Sequence, residues 1–124
     1  MSENISDDSI LENIEPPEVK LTTPDLFETE QIWLVVAKNR KINRNWEALL
    51  ARYPENCYRC YEFFCTTPTT RLQGRVFPLK GKPYTGAWEY ELTRGDRVYY
   101  IPNEEQLKVI VYYAGKHPSV APRP

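Results

Sequence analysis

Histidine is almost missing from this chain of 124 residues: there is one, His117. A site built from several imidazoles is excluded, and proton transfer by histidine has one position to use. Cysteine is scarce as well, with Cys57, Cys60 and Cys65 confined to one short segment. An odd number so closely spaced makes a poor disulfide framework. Cys57-x-x-Cys60 has the spacing of half a zinc site, but a structural zinc needs four ligands and the histidine is far along the chain. The thiols therefore read as small core residues, and neither a metal nor an organic cofactor is expected. Long apolar runs are missing too. Nothing approaches the ~20 residues of a membrane span. The N-terminus is acidic and lacks the apolar core of a signal peptide. A cytoplasmic protein with no membrane contact is expected.

Bases are nearly absent from the first thirty residues. Nine acids stand there against Lys20, a net charge of −8, while residues 31–124 carry fifteen bases and eight acids, net +7. Such asymmetry fits a basic domain that meets polyanions, joined to an acidic arm. The arm has few large hydrophobes and contains Pro16, Pro17 and Pro24. It cannot bury enough apolar surface to offset its ordering entropy, so residues 1–30 are expected to be disordered when free. A short helical turn is possible at residues 9–14. The arm could mask the basic part, extend to a partner, or only solubilise the chain.

The remainder is rich in apolar and aromatic residues, enough for one domain over residues 31–118. Residues 32–37 read as a strand. Asn43 is positioned to cap a helix with Trp46, Leu49, Leu50 and Tyr53 on one face. Pro54 ends it and opens a second, in which Cys57, Cys60, Tyr61, Phe64 and Cys65 form one apolar stripe. Residues 75–79, 88–93, 97–101 and 107–113 read as strands joined by hairpin-length connections, hence antiparallel. The expected class is α+β: an N-terminal strand, an αα-hairpin, then a meander of about four strands packed on the helices. Residues 119–124 form a proline-rich tail.

Period 2 sorts the sheet's faces. With Trp88, Tyr90, Leu92, Val98 and Tyr100 facing the core, Glu89, Glu91 and Arg97 share the open face. Lys116 and His117 follow the last strand, and Lys80 and Lys82 precede Trp88. Tyr99, Tyr112 and Tyr113 offer faces on which bases can stack. Trp33, Trp46 and Trp88 belong to the core. The plain alternative for Arg97 is an ion pair with Glu89 or Glu91, and for His117 an exposed strand end.

The segment Pro78-Leu79-Lys80-Gly81, with Tyr84, Gly86 and Trp88 after it, and the block Leu92-Thr93-x-Gly95-Asp96-Arg97-Val98-Tyr99-Tyr100 carry a resemblance. Together with Gly115-Lys116-His117, the region from Ile32 to Pro118 resembles the RelE/ParE superfamily of bacterial type II toxin–antitoxin toxins. The resemblance implies a toxin held by a cognate antitoxin. RelE-like members are metal-free endoribonucleases that cut messenger RNA at the ribosome; ParE-like members bind DNA gyrase. On the first branch Arg97 falls on the phosphate-binding arginine, His117 on the strand-end arginine or histidine, and Lys80 on a loop lysine. Lys82, Lys116, Tyr99 and Tyr113 would contact RNA. Two departures stand out. Glu89 and Glu91 occupy positions where RelE itself has lysines, and Phe77 replaces the glutamate base of YoeB-like toxins. Glu89 or Glu91 would then have to supply the base. The alternative is a non-catalytic binding module on the same fold, a gyrase inhibitor or a regulatory protein.

Overall fold

In the computed structural model, which describes residues 17–124, a six-stranded sheet carries two helices on one face. The strands are β1 (Val19–Lys20), β2 (Leu34–Ala37), β3 (Val76–Pro78), β4 (Trp88–Thr93), β5 (Asp96–Asn103) and β6 (Lys108–Lys116). The helices α1 (Arg40–Arg52) and α2 (Pro54–Thr66) connect β2 to β3. Sheet order is β1-β2-β6-β5-β4-β3. The chain from β3 to β6 is the expected antiparallel meander. β2 lies parallel to β6, so the αα-hairpin starts the crossover that separates them.

The helices form where their stripes allow. Asn39 caps α1: its side-chain oxygen accepts a hydrogen bond from the Ile42 amide at 3.0 Å. The expected cap, Asn43, lies inside the helix and has other work. It accepts from the Thr22 amide at 2.9 Å and donates to the Thr22 hydroxyl at 3.0 Å. Pro54 sits in the first turn of α2, where its missing N–H costs nothing. All five residues of the α2 stripe are buried. They meet Leu92, Val98, Tyr100, Val109 and Val111 in the main core, with Phe64 and Tyr100 ring centroids 4.5 Å apart. Trp46 is buried with them and donates its indole N–H to the Thr22 carbonyl at 2.9 Å. Trp33 is buried, and Trp88 is partly buried against the same core.

The expected boundary of a disordered arm at residue 30 is corrected by these contacts. Residues 17–30 form a strap that runs from the β2 edge onto the helices. Val19 and Lys20 pair with Ala37 and Val36. Leu21 is completely buried. Phe27 packs edge-on against Tyr61 at 4.9 Å, and the Thr29 hydroxyl donates to Glu62 at 2.7 Å. One leucine and one phenylalanine, backed by strand pairing and Thr22's bonds, suffice to order an otherwise polar segment; composition averaged over thirty residues hides them. Residues 1–16, including the helical turn expected at 9–14, lie outside the described residues.

Candidate functional site

β4 and β5 place their polar residues as period 2 requires. Glu89 stands opposite Tyr99 and Glu91 opposite Arg97, all on the face away from the helices, while Val98 and Tyr100 are buried against them. β6 breaks the alternation. Tyr99 pairs with Tyr113 but Tyr100 pairs with Val111, so Tyr112 is an extra, bulged residue. Both Tyr112 and Tyr113 contact the Tyr99 ring. This gives the open face its own small cluster of Ala87, Tyr99 and Tyr112, flanked by Tyr84, Ile101 and Ala121. The C-terminal tail crosses it: the Tyr112 hydroxyl donates to the Pro122 carbonyl at 2.9 Å.

Tyr99 is only 1% exposed, so its role as a stacking face for RNA is corrected. The same holds for the buried Tyr112. Both phenols are pushed up, first by burial. For Tyr99 the Glu89 carboxylate beside it adds to the effect, by its charge and as a hydrogen-bond partner. Tyr113 keeps part of its ring accessible, and its hydroxyl donates to the Lys116 carbonyl.

Arg97 is largely satisfied within the protein. Its Nε donates to the Glu89 carboxylate at 3.1 Å, and the two side chains are 11% and 13% exposed. Its Nη1 lies within hydrogen-bond reach of the carbonyls of Thr93, Arg94 and Asp96 at 2.9, 3.2 and 3.0 Å. Nη2 has no such partner among the described residues. The two glutamates expected to be equivalent are thus distinct. Glu89 is engaged by Arg97, whereas Glu91, across the strand pair from Arg97, makes no ion pair among the described residues.

The β4–β5 turn brings further groups to this corner. The His117 amide donates to the Gly95 carbonyl at 2.9 Å, and Lys116 pairs with Asp96. Arg94, Lys116 and His117 are all exposed. The corner therefore collects Glu91, Arg94, Arg97 and His117, whereas Lys116, opposite Asp96, lies on the helix side and lines a cleft with Asn45, Ala48 and Arg52. Arg94 was not among the residues singled out from the sequence; a cation in a tight turn is too common to be a signal. Lys80 and Lys82 do not join. Their loop enters the sheet at Trp88, the far end of β4, which is about 17 Å long at the usual strand rise. That loop turns on Gly81 and Gly86, with φ of +106° and +81°, backbone that only glycine adopts without strain.

The cysteines take no part. All three are free and buried. Burial, with Asp96 adding to it, pushes the Cys57 thiol up to about 12. Burial also raises Cys65 to about 11. Among the described residues no group of His, Cys, Asp and Glu could hold a metal ion, and no helix is long and apolar enough to cross a membrane.

No family model matches the chain, and no curated protein does. Solved structures do. A YoeB/ParE toxin from Agrobacterium tumefaciens superposes with a TM-score of 0.53 and 24% identity, over 68% of this chain and 98% of that one. The YoeB–YefM toxin–antitoxin complex from Staphylococcus aureus gives 0.54 at 9% identity, over 69% and 98%. A metal-bound toxin from Helicobacter pylori gives 0.50 at 17%, over 64% and 89%. Nearly the whole of the first two toxin chains is thus present here, with about a third of this chain left over. The two helices on a mostly antiparallel sheet are a RelE/ParE-like toxin fold.

Proposed function

We propose that this chain is the toxin of a type II toxin–antitoxin pair and cleaves messenger RNA at the ribosome in the cytoplasm, with side chains alone as catalysts. The convergence of Glu91, Arg97 and His117 at the β4–β5 corner carries this reading. RNA cleavage by the 2′-hydroxyl needs a base, a cation for the phosphorane and an acid for the departing 5′-oxygen. Glu91 takes the 2′-hydroxyl proton, and the 2′-oxygen attacks phosphorus. Arg97, through Nη2, faces the charge that develops on the phosphate oxygens. His117 gives its proton to the 5′-oxygen as the P–O bond breaks. The products are a 2′,3′-cyclic phosphate and a 5′-hydroxyl. The partner is an antitoxin chain, as in the YoeB–YefM complex whose fold this one shares.

One observation favours a second reading. Arg97 is held by Glu89 and three backbone carbonyls, which suits a structural clamp as well as a phosphate ligand. A binding module on the same fold, including a gyrase inhibitor, would need only the surface. Inducing the full chain in bacteria and mapping message ends by primer extension separates the two. The nuclease reading expects growth arrest with new 5′ ends on ribosome-bound messages, reduced about 100-fold or more in His117→Ala and Glu91→Gln. Arrest with DNA damage and intact messages favours gyrase. Cleavage untouched by both substitutions removes the proposed mechanism.

A further inference from the structure

Three of the four phenylalanines have a ring partner. Phe27, Phe63 and Phe64 each pack on a tyrosine and belong to the main core or border it. Phe77 joins neither the main core nor the open-face cluster, and no ring pairs with it among the described residues. It stands half-buried in β3, at the outer edge of the sheet. Val76 before it is buried in the main core, so Phe77 points to the open face, opposite Glu89.

Phe77 lines a cleft of about 470 Å³ with Arg71, Gln73 and Gly74. Backbone bonds fix the turn that carries these residues. The Leu72 amide donates to the Val76 carbonyl and the Val76 amide to the Leu72 carbonyl, each at 2.8 Å. Gly74 turns the chain at φ +77°, and nothing lies within 4 Å of where a side chain would stand. Neither the Arg71 guanidinium nor the Gln73 amide makes a hydrogen bond or ion pair among the described residues. The cleft thus gathers a ring face, an amide with donors and an acceptor, and a cation, all unused by the protein itself. No acid lines it, and Glu89 is already bonded to Arg97, so the local charge is that of Arg71.

This set of groups fits an unpaired nucleotide. A ring face stacks on any base, an amide pairs with the hydrogen-bonding edge of the base, and a guanidinium holds the phosphate. The position fits as well. Glu91 lies two residues beyond Glu89 on β4, about 7 Å along the strand, and β3 runs about 5 Å from β4. The backbones of Phe77 and Glu91 are therefore about 9 Å apart. A strand with its scissile phosphate at the corner can lay an adjoining base on Phe77.

We propose that this cleft takes one unpaired base of the RNA next to the cleavage point and sets sequence preference there. Phe77 stacks on the base, Gln73 reads its edge, and Arg71 holds its phosphate. The proposal takes its substrate from the nuclease reading, but binding can be measured apart from cleavage.

The full-length Glu91→Gln chain, titrated with single-stranded RNA hexamers that differ at one position, tests it. The ring resonances of Phe77 and the side-chain amide of Gln73 should shift, with one base preferred. Adding Phe77→Leu keeps an apolar side chain without a ring and should weaken binding about 10-fold or more. Adding Gln73→Ala should flatten the preference between bases. Unchanged affinity in the Phe77→Leu chain, its fold verified by its amide spectrum, overturns the cleft and leaves the nuclease reading intact. The cleft is overturned too if no hexamer moves the Phe77 resonances. Binding that depends on Phe77, in a protein that leaves messages uncut in cells, keeps the cleft and removes the nuclease.

Discussion

On the helix side of the sheet, Leu92, Val98, Tyr100, Val109 and Val111 meet Trp46, Tyr61 and Phe64, and none of the eight is more than 2% exposed. On the other side, three buried residues form a small cluster, and the rest of the middle is polar side chains joined to one another. The first face is held by apolar burial, which is non-directional and scales with area. The second is held by directional contacts: Arg97 to Glu89, Tyr99 beside Glu89, Tyr112 to the tail. A face built this way sequesters the charges at its centre. At the edge, Glu91 and His117 make no ion pair among the described residues.

The contrast can be broken by substitution. Phe64→Ala removes a ring from the apolar face and should cost about 3–5 kcal/mol in denaturant unfolding. A loss below about 1 kcal/mol would mean that this face is less tightly packed than it looks. Glu89→Ala strips Arg97 Nε and the Tyr99 hydroxyl of their carboxylate and should cost about 1–3 kcal/mol. Glu91→Ala, the control on the same strand and face, should change stability by about 0.5 kcal/mol or less. Equal effects of the two glutamates would erase the distinction between them. Tyr112→Phe loses only the bond to Pro122 and should cost about 0.5–1.5 kcal/mol, with faster proteolysis of the tail.

The thiols on the helix side should show no reaction at all. Cys57 and Cys65 ionise at about 12 and 11 in the fold, against 9.0 for an unhindered thiol. Iodoacetamide at pH 8 should leave the native protein unlabelled and modify all three cysteines in urea. The unfolded thiols lose their protons first, so their contribution to stability is intact below pH 9 and declines as pH rises toward 11 and 12. Native labelling at pH 8 would show that the α2 stripe opens readily.

The elements of residues 31–118 were readable because their signals are local. A proline in the first turn and an i, i+3, i+4, i+7, i+8 stripe define α2 within thirteen residues. Strict alternation in β4 assigns Trp88 and Leu92 to one face and Glu89 and Glu91 to the other. The strap was not readable. Its order depends on Leu21 entering a core made by residues dozens of positions away, and on Thr22 meeting Asn43 and Trp46. Tyr99 and Tyr112 were misjudged for a similar reason. A bulge and a returning tail cannot be seen in a period-2 pattern, yet together they cover both rings.

By itself, the sequence determined the α+β order, the helix stripe that buries the cysteines, and the strand faces that put Glu89, Glu91 and Arg97 together. Short-range periodicity and turn chemistry are sufficient for that, because they act within a few residues. Only the tertiary structure decided which glutamate Arg97 takes, which tyrosines remain accessible, that Arg94 and His117 share one corner, and that Lys116 turns to the helix side. Those outcomes rest on register between strands and on contacts across the fold, where a shift of one residue changes every partner.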